Sequence, residues 1–404
     1  MATSPTRSTW TAVFCWLTVL LEGYDLVAFG ATIPTLLKTG HVGFTPAGAT
    51  LVATVSLIGV AVGAAGLSPL TDRFGRRRLL IGSVLLFSVF TLVIPLSPSV
   101  EVFALLRFIA GLGLGACMPV ALTVMSENLP ARRRASASTF TMTGYHVGAV
   151  LMSVLALAVK EDWQVLFYGG GIAGLAVVPL MWWRLPESSA FLEARDTADR
   201  VTARDLLGPR FRRISVAVWV GSFMGLLLVY GLNTWLPQLM RTAGYPISTA
   251  ITLLLVLNVG AVIGLLAAGL IADRYGIKPI ATLWFGAAAV LLAALSLRVS
   301  SSFLLNLMVL LTGVFVFSAQ VLIYGYVAQA FPAQARGTAL GFTSAVGRLG
   351  SILGPFVTGA LVTAGVAYPW GFYFFAAVAA FGLGAVLLLA RTPEPDAAKA
   401  HTPL

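Results

Sequence analysis

Thr71-Asp72-Arg73-Phe74-Gly75-Arg76-Arg77-Arg78 separates two apolar runs of the chain, and its core returns 201 residues later as Asp273-Arg274-Tyr275-Gly276 between two others. The recurrence is not isolated. Pro130-Ala131 with Arg134 returns as Pro332-Ala333 with Arg336, at an offset of 202. Two offsets that agree within one residue, both about half the 404 residues, mean that one folding unit is used twice. Composition says what the unit is: 58% of the residues are hydrophobic, only 10% are charged and mean hydropathy is +0.92. Soluble domains carry about 25% charged residues, so this chain is built for lipid. Cutting at charged and Pro/Gly-rich breaks leaves twelve apolar segments of roughly 18 to 28 residues, each able to cross about 30 Å of hydrocarbon as a helix. The short alternating strands of a β-barrel are absent from the sequence. Six spans fall in each copy, so both copies begin on the same side of the membrane. The fold class is therefore an all-α polytopic membrane protein with two six-helix bundles, the layout of halves that rock about a central site.

The first bundle is expected over residues 1–185, with spans near 10–37, 47–70, 79–96, 102–124, 138–159 and 165–183. Residues 186–213 are polar and charged and read as a linker, part of it suited to a helix on the membrane surface. The second bundle takes 214–392, with spans near 214–237, 250–272, 279–297, 303–330, 337–364 and 370–390, and 393–404 is a short polar tail expected to be disordered. The net charge of +11 follows this topology. Of 26 Lys and Arg, Lys38, Lys160, Arg241 and Arg298 fall on one side, Arg107 and Arg348 lie within spans, and the other 20 gather on the side of the termini. That is the positive-inside pattern, which places both termini in the cytoplasm and makes nucleic acid an unnecessary partner. Arg7 precedes a long apolar run with no small-residue cleavage site, so span 1 reads as retained and not as a signal peptide. Cys15 and Cys117 lie in different spans, which argues against a disulfide framework or a metal cluster.

Charges inside the spans carry the functional reading. Glu22 and Asp25 sit three residues apart in Leu17–Leu37, LTVLLEGYDLVAFGATIPTLL, and so share a helix face. An acid at bilayer depth costs several kcal/mol unless paired, hydrated or protonated, which makes a proton-coupling site the expectation for both, Asp25 first because it lies deeper. Arg107 lies about 8 Å below the outer end of span 4 and Asp25 about 13 Å from Pro34, depths at which the two can meet. Arg348 lies near mid-membrane in span 11, where a guanidinium suits a bidentate grip on a substrate carboxylate. Subtracting the repeat offset from 348 leads to His146 at the matching depth of span 5, expected to face Arg348 as a proton carrier or donor. Tyr145, Tyr230, Asn233, Gln320 and Tyr324 are polar or aromatic positions in spans 5, 7 and 10 suited to an aromatic ring and its hydroxyl. Trp10, Trp163, Trp182, Trp183 and Trp370 fall at span ends and read as interfacial anchors. The repeated loops, with Asp72, Arg73, Gly75 and Arg76 in one copy and Asp273, Arg274 and Gly276 in the other, read as gating latches, joined by Glu127 at the end of span 4.

Gly66-Leu67-Ser68-Pro69-Leu70-Thr71-Asp72-Arg73-Phe74-Gly75-Arg76-Arg77, with Arg107 and the following Gly111-Leu112-Gly113-Leu114-Gly115, resembles the signatures of the major facilitator superfamily. Within it, Glu22-Gly23-Tyr24-Asp25, Met118-Pro119, Glu127 with Pro130-Ala131-Arg132, Leu185-Pro186-Glu187-Ser188 and Gly347-Arg348-Leu349-Gly350 through Pro355 resemble the aromatic acid:proton symporters. That family has Asp-Gly-X-Asp in span 1, and this chain departs from it with Glu22 in the first place. The resemblance implies a carrier of small aromatic acids such as hydroxybenzoates, driven by protons, in the cell (inner) membrane. It is expected to be a monomer that needs no cofactor.

Other classes fit less well. There is no Gly-x-x-x-x-Gly-Lys-Ser/Thr run for ATP, and no nucleophile or His/Cys/acid cluster for an enzyme. A drug-efflux antiporter of the same fold commonly has a Gly-Pro pair in span 5, whereas 138–159 has no proline and the pair within a span is Gly354-Pro355. A sensor would be expected to carry a sizeable soluble domain, which the sequence lacks.

Overall fold

The computed structural model describes residues 5–67, 70, 74–127, 134–160, 162–187, 206, 208, 211–331 and 333–389, without the side chains of 5–8, 126–127, 134–139, 328 and 333–338. Asp72, Arg73, the Glu127 side chain, most of the linker and the tail lie outside what is described. Among the described residues, 12 helices are long and apolar enough to cross a membrane, and no strand occurs. The first six are α1 (Pro5–Thr39), α2 (Pro46–Gly66), α3 (Arg76–Val93), α4 (Val100–Glu127), α5 (Arg134–Val159) and α6 (Gln164–Arg184). The second six are α7 (Arg212–Thr242), α8 (Ile247–Tyr275), α9 (Ile277–Ala294), α10 (Ser302–Ala330), α11 (Ala333–Thr363) and α12 (Ala367–Leu387). Long apolar runs form helices because only a helix satisfies every backbone group without water. Prolines mark ends or are absorbed within: Pro46 opens α2 behind a Thr45 cap, while Pro34, Pro119, Pro179, Pro237 and Pro355 lie inside helices.

Packing repeats as the sequence does. In the first half α1 packs on α5, α2 on α4, and α3 on α4 and α6; in the second, α7 packs on α11, α8 on α10, and α9 on α10 and α12. Small residues set these pairs. A Cβ on Gly59 would run into the Phe108 backbone, and one on Gly260, 201 positions later, into that of Leu310. Close approach of this kind is how helices associate where lipid removes the hydrophobic drive. The repeat also holds in the turns: Gly75 (φ 93°, ψ 149°) and Gly276 (φ 85°, ψ 149°) start α3 and α9 in the same conformation. That left-handed φ favours glycine over any residue with a Cβ.

The halves meet through α1 with α7, α2 with α11 and α5 with α8. Arg241 Nη1 donates to the Pro34 carbonyl at 2.7 Å, and Gly359 abuts the Thr50 side chain, both at the ends remote from the chain termini. The molecule is thus closed on the side opposite its termini. Trp10, Trp182, Trp183 and Trp370 are exposed near helix ends, as anchors would be. Trp163 is not an anchor: it is 4% exposed and packs its ring against Phe103, Phe167 and His41, so a span-end position alone did not fix its role.

Candidate functional site

Asp25 is buried in the first half, where its two carboxylate oxygens accept from different helices. Arg107 Nη1 of α4 pairs with Oδ1, and the Thr91 hydroxyl of α3 donates to Oδ2. The Arg107 guanidinium also stands over the Phe29 ring, 5.9 Å from its centre. The depths of Asp25 and Arg107 along their helices therefore do bring them together. Thr91 carries no mark in the sequence that separates it from other hydroxyls in apolar spans.

Glu22, one turn earlier, turns elsewhere. It is 0% exposed and neither carboxylate oxygen makes a hydrogen bond; it lies by the Met118 backbone and within electrostatic reach of Arg348 in the other half. Arg348 is only half-buried and donates through Nη1 to the Tyr230 hydroxyl at 3.0 Å. Tyr145, with its hydroxyl unbonded, lies within reach of Glu22, Tyr230 and Arg348, and Tyr324 within reach of Tyr230 and Arg348. Five helices, α1, α5, α7, α10 and α11, thus converge on one acid, one guanidinium and three phenols. Glycines make the convergence possible: Gly23 lays the α1 backbone on that of Tyr145, and Gly347 and Gly350 bring α11 against Ser222 and Phe223 of α7.

His146 does not face Arg348. Its Nδ1 lies 3.2 Å from Asn258 Oδ1 of α8, and its ring meets Phe317 edge-on at 4.9 Å. The repeat relates α5 to α11 as equivalents, and each meets a different helix of the opposite half, α5 on α8 and α11 on α2. Equal depth therefore does not make the two residues neighbours. Asn258 in turn donates to Asn233 Oδ1 at 2.9 Å. Asn258 is absent from the sequence reading, although a lone amide in the apolar run 251–261 is a signal that could have found it. Gln320 stays within its own half, donating to the Ser222 hydroxyl at 3.0 Å. Between the halves, Arg107, Tyr145, Tyr230, Asn233 and Phe29 line a cavity of about 10 Å³, room for about one water.

At the side of the termini, Arg76 is buried, whereas Asp273 and Arg274 are exposed, the latter over the Tyr275 ring at 5.4 Å. Neither Asp273 nor Arg274 makes an ion pair among the described residues. Glu187 accepts from the Arg77 backbone N–H at 3.1 Å, tying the start of the linker to the first turn of α3. Among the described residues no group of three or more His, Cys, Asp or Glu is placed to hold a metal.

Two matched bundles that touch on one side of a buried charged interface define a membrane carrier. The chain belongs to the Major Facilitator Superfamily, whose family model matches residues 15–355 and 259–403, and within it to the group of aromatic acid transporters. It is 33% identical over 389 residues to the gentisate transporter of Corynebacterium glutamicum, covering 93% of this chain and 87% of that one. It is 31% identical to the gallate transporter of Pseudomonas putida, covering 88% and 86%. Among solved structures it resembles a D-xylose–proton symporter with a TM-score of 0.75 at 18% identity, covering 95% of this chain and 97% of the other, a likeness of fold. The chain is accordingly a multi-pass membrane transporter and not an enzyme.

Proposed function

We propose that the protein imports a small aromatic carboxylate together with protons across the cell membrane. The observation that carries this reading is the burial of Glu22, with no hydrogen-bond partner, within electrostatic reach of Arg348 across the halves, a guanidinium that is itself only half-buried. One guanidinium serves either the Glu22 carboxylate or an incoming carboxylate. Occupation by the substrate leaves Glu22 to take a proton, because two anions beside one cation in a low dielectric repel. Asp25 contributes a second switch: protonation would release Arg107 and loosen the contact among α1, α3 and α4. Tyr145, Tyr230 and Tyr324 supply the aromatic wall and hydroxyls suited to a ring. The named substrates of the relatives, gentisate and gallate, are aromatic acids, which agrees with this chemistry. The basic side is assigned to the cytoplasm by the positive-inside pattern, so the closed side faces outward. The loops at Gly75 and Gly276 would then latch the cytoplasmic side in the opposite state. The proton gradient supplies the drive, without a cofactor.

The test is uptake into proteoliposomes under an imposed inward proton gradient, with benzoate and its 2-, 3- and 4-hydroxy derivatives as labelled substrates. Accumulation of at least one, collapsing when a protonophore is added, is expected. No gradient-driven accumulation of any of them would overturn the assignment.

A further inference from the structure

His146, Asn258 and Asn233 form a chain whose direction is fixed by chemistry. The Asn258 amide nitrogen donates to the Leu254 carbonyl at 3.1 Å and to Asn233 Oδ1 at 2.9 Å. A backbone carbonyl accepts only, so the nitrogen must occupy that position and both of its hydrogens are used. Asn258 Oδ1 consequently faces His146 Nδ1, which carries a hydrogen to meet it. With Asn233 Oδ1 already accepting, its Nδ2 is the end left over, and that donor is buried without a partner.

The position of this donor is informative. Asn233 lines the cavity between the halves together with Tyr145 and Tyr230. Tyr230 holds Arg348 and lies three residues before Asn233, on the same face of α7. Asn233 thus lies one helical turn, about 5 Å, along α7 from the residue that holds Arg348, a separation that an aromatic acid held by its carboxylate can span. An NH₂ group with no acceptor in the protein is satisfied by the single water the cavity admits or by a ligand that displaces that water and brings an acceptor of its own. Sites built around such a group reject analogues lacking the matching atom far more strongly than apolar pockets do.

Resting on the aromatic-carboxylate reading above, we propose that Asn233 selects acids whose ring carries a hydrogen-bond acceptor remote from the carboxylate, and that Asn258 orients its amide while His146 holds Asn258 from across the bundle interface. A ring hydroxyl meets this requirement and an unsubstituted ring does not. Asn233 is then the specificity-determining contact, with Asn258 and His146 as positioning residues. His146 belongs to the first half and the two asparagines to the second, so the chain of hydrogen bonds ties the halves together in the observed state.

The experiment compares benzoate with 2-, 3- and 4-hydroxybenzoate as competitors in counterflow by the full chain in proteoliposomes. At least one of the 3- and 4-hydroxy isomers should bind about tenfold or more tighter than benzoate, and a preference confined to the 2-hydroxy isomer, whose hydroxyl adjoins the carboxylate, overturns the assignment. In Asn233→Leu, whose side chain has a similar volume, the ratio of hydroxy-isomer to benzoate affinity should shrink to about twofold, whatever the change in absolute affinity. Asn258→Leu should reduce the preference in the same direction, a change in ratio that general destabilisation would not produce. Equal binding of benzoate and every hydroxy isomer by the native chain, a result needing no variant, overturns the assignment and leaves the aromatic-carboxylate reading in place. So does an Asn233→Leu chain that keeps the native ratio. If no aromatic acid competes at all, the broader reading falls and this one with it.

Discussion

Two acids separated by one helical turn have different fates in this chain. Asp25 is neutralised within its own half by Arg107 and Thr91, whereas Glu22 is buried with no hydrogen bond and an opposite charge only across the interface. Removing one member of a buried ion pair strands the other, at about 3–5 kcal/mol. Asp25→Asn is therefore expected to lower the melting temperature in detergent markedly and to abolish gradient-driven accumulation. Glu22→Gln should leave the melting temperature unchanged or raised, because it removes an unpartnered buried charge, yet should uncouple transport from the proton gradient. Equal thermal losses in the two variants would contradict this division. Arg348→Lys retains charge but gives up the planar fork, so substrate affinity should fall by about 2 kcal/mol, roughly 30-fold, in competition assays. An unchanged affinity would make Arg348 structural.

Helices in this protein are positioned by their smallest residues. A Cβ on Gly148 would collide with the Leu20 backbone between α1 and α5, and one on Gly350 with the Phe223 backbone between α7 and α11, 202 positions on. Gly148→Leu should accordingly destabilise by more than the usual 1–3 kcal/mol of overpacking, since backbone has no rotamer in which to give way. Gly82 on α3 is exposed and a Cβ there meets nothing within 4 Å, so Gly82→Ala should be neutral or stabilising by up to about 1 kcal/mol. Thermal melts of the purified variants separate the two cases. Elements were legible from the sequence for a simple reason: each apolar run is one helix, and depth along a helix follows from residue count. That is why the meeting of Asp25 with Arg107 could be read in advance. The direction a side chain takes around its helix axis depends on which neighbour the glycines admit, and no residue count supplies it. Residue count places His146 along its helix, whereas its partner, Asn258 and not Arg348, follows from the rotation that packing imposes.

At the scale of the molecule, the doubled sequence produces matched bundles, yet their contacts are unequal on the two sides of the membrane. The repeat loops flanking Gly75 and Gly276 lie on the side of the termini, and the contacts of Pro34 with Arg241 and of Thr50 with Gly359 lie on the other. The doubling was legible because both copies kept the same loop residues. Which side is closed was not, because a carrier encodes two states in one sequence and the sequence does not say which set of contacts is made. If the observed closure is one of two alternating states, holding it should stop transport without unfolding the chain. Thr50 of α2 and Gly359 of α11 offer the means, since a Cβ at Gly359 would lie 2.8 Å from the Thr50 Cβ, and a separation of about 1 Å more brings a cysteine pair to disulfide geometry. Cys15 and Cys117 are buried and free, so they do not compete for the oxidant. In a Thr50→Cys/Gly359→Cys chain, oxidation is expected to eliminate uptake and reduction to restore it, while each single variant transports under both conditions. Complete cross-linking with undiminished uptake would show that α2 and α11 stay together throughout the cycle, and that the halves move about some other seam.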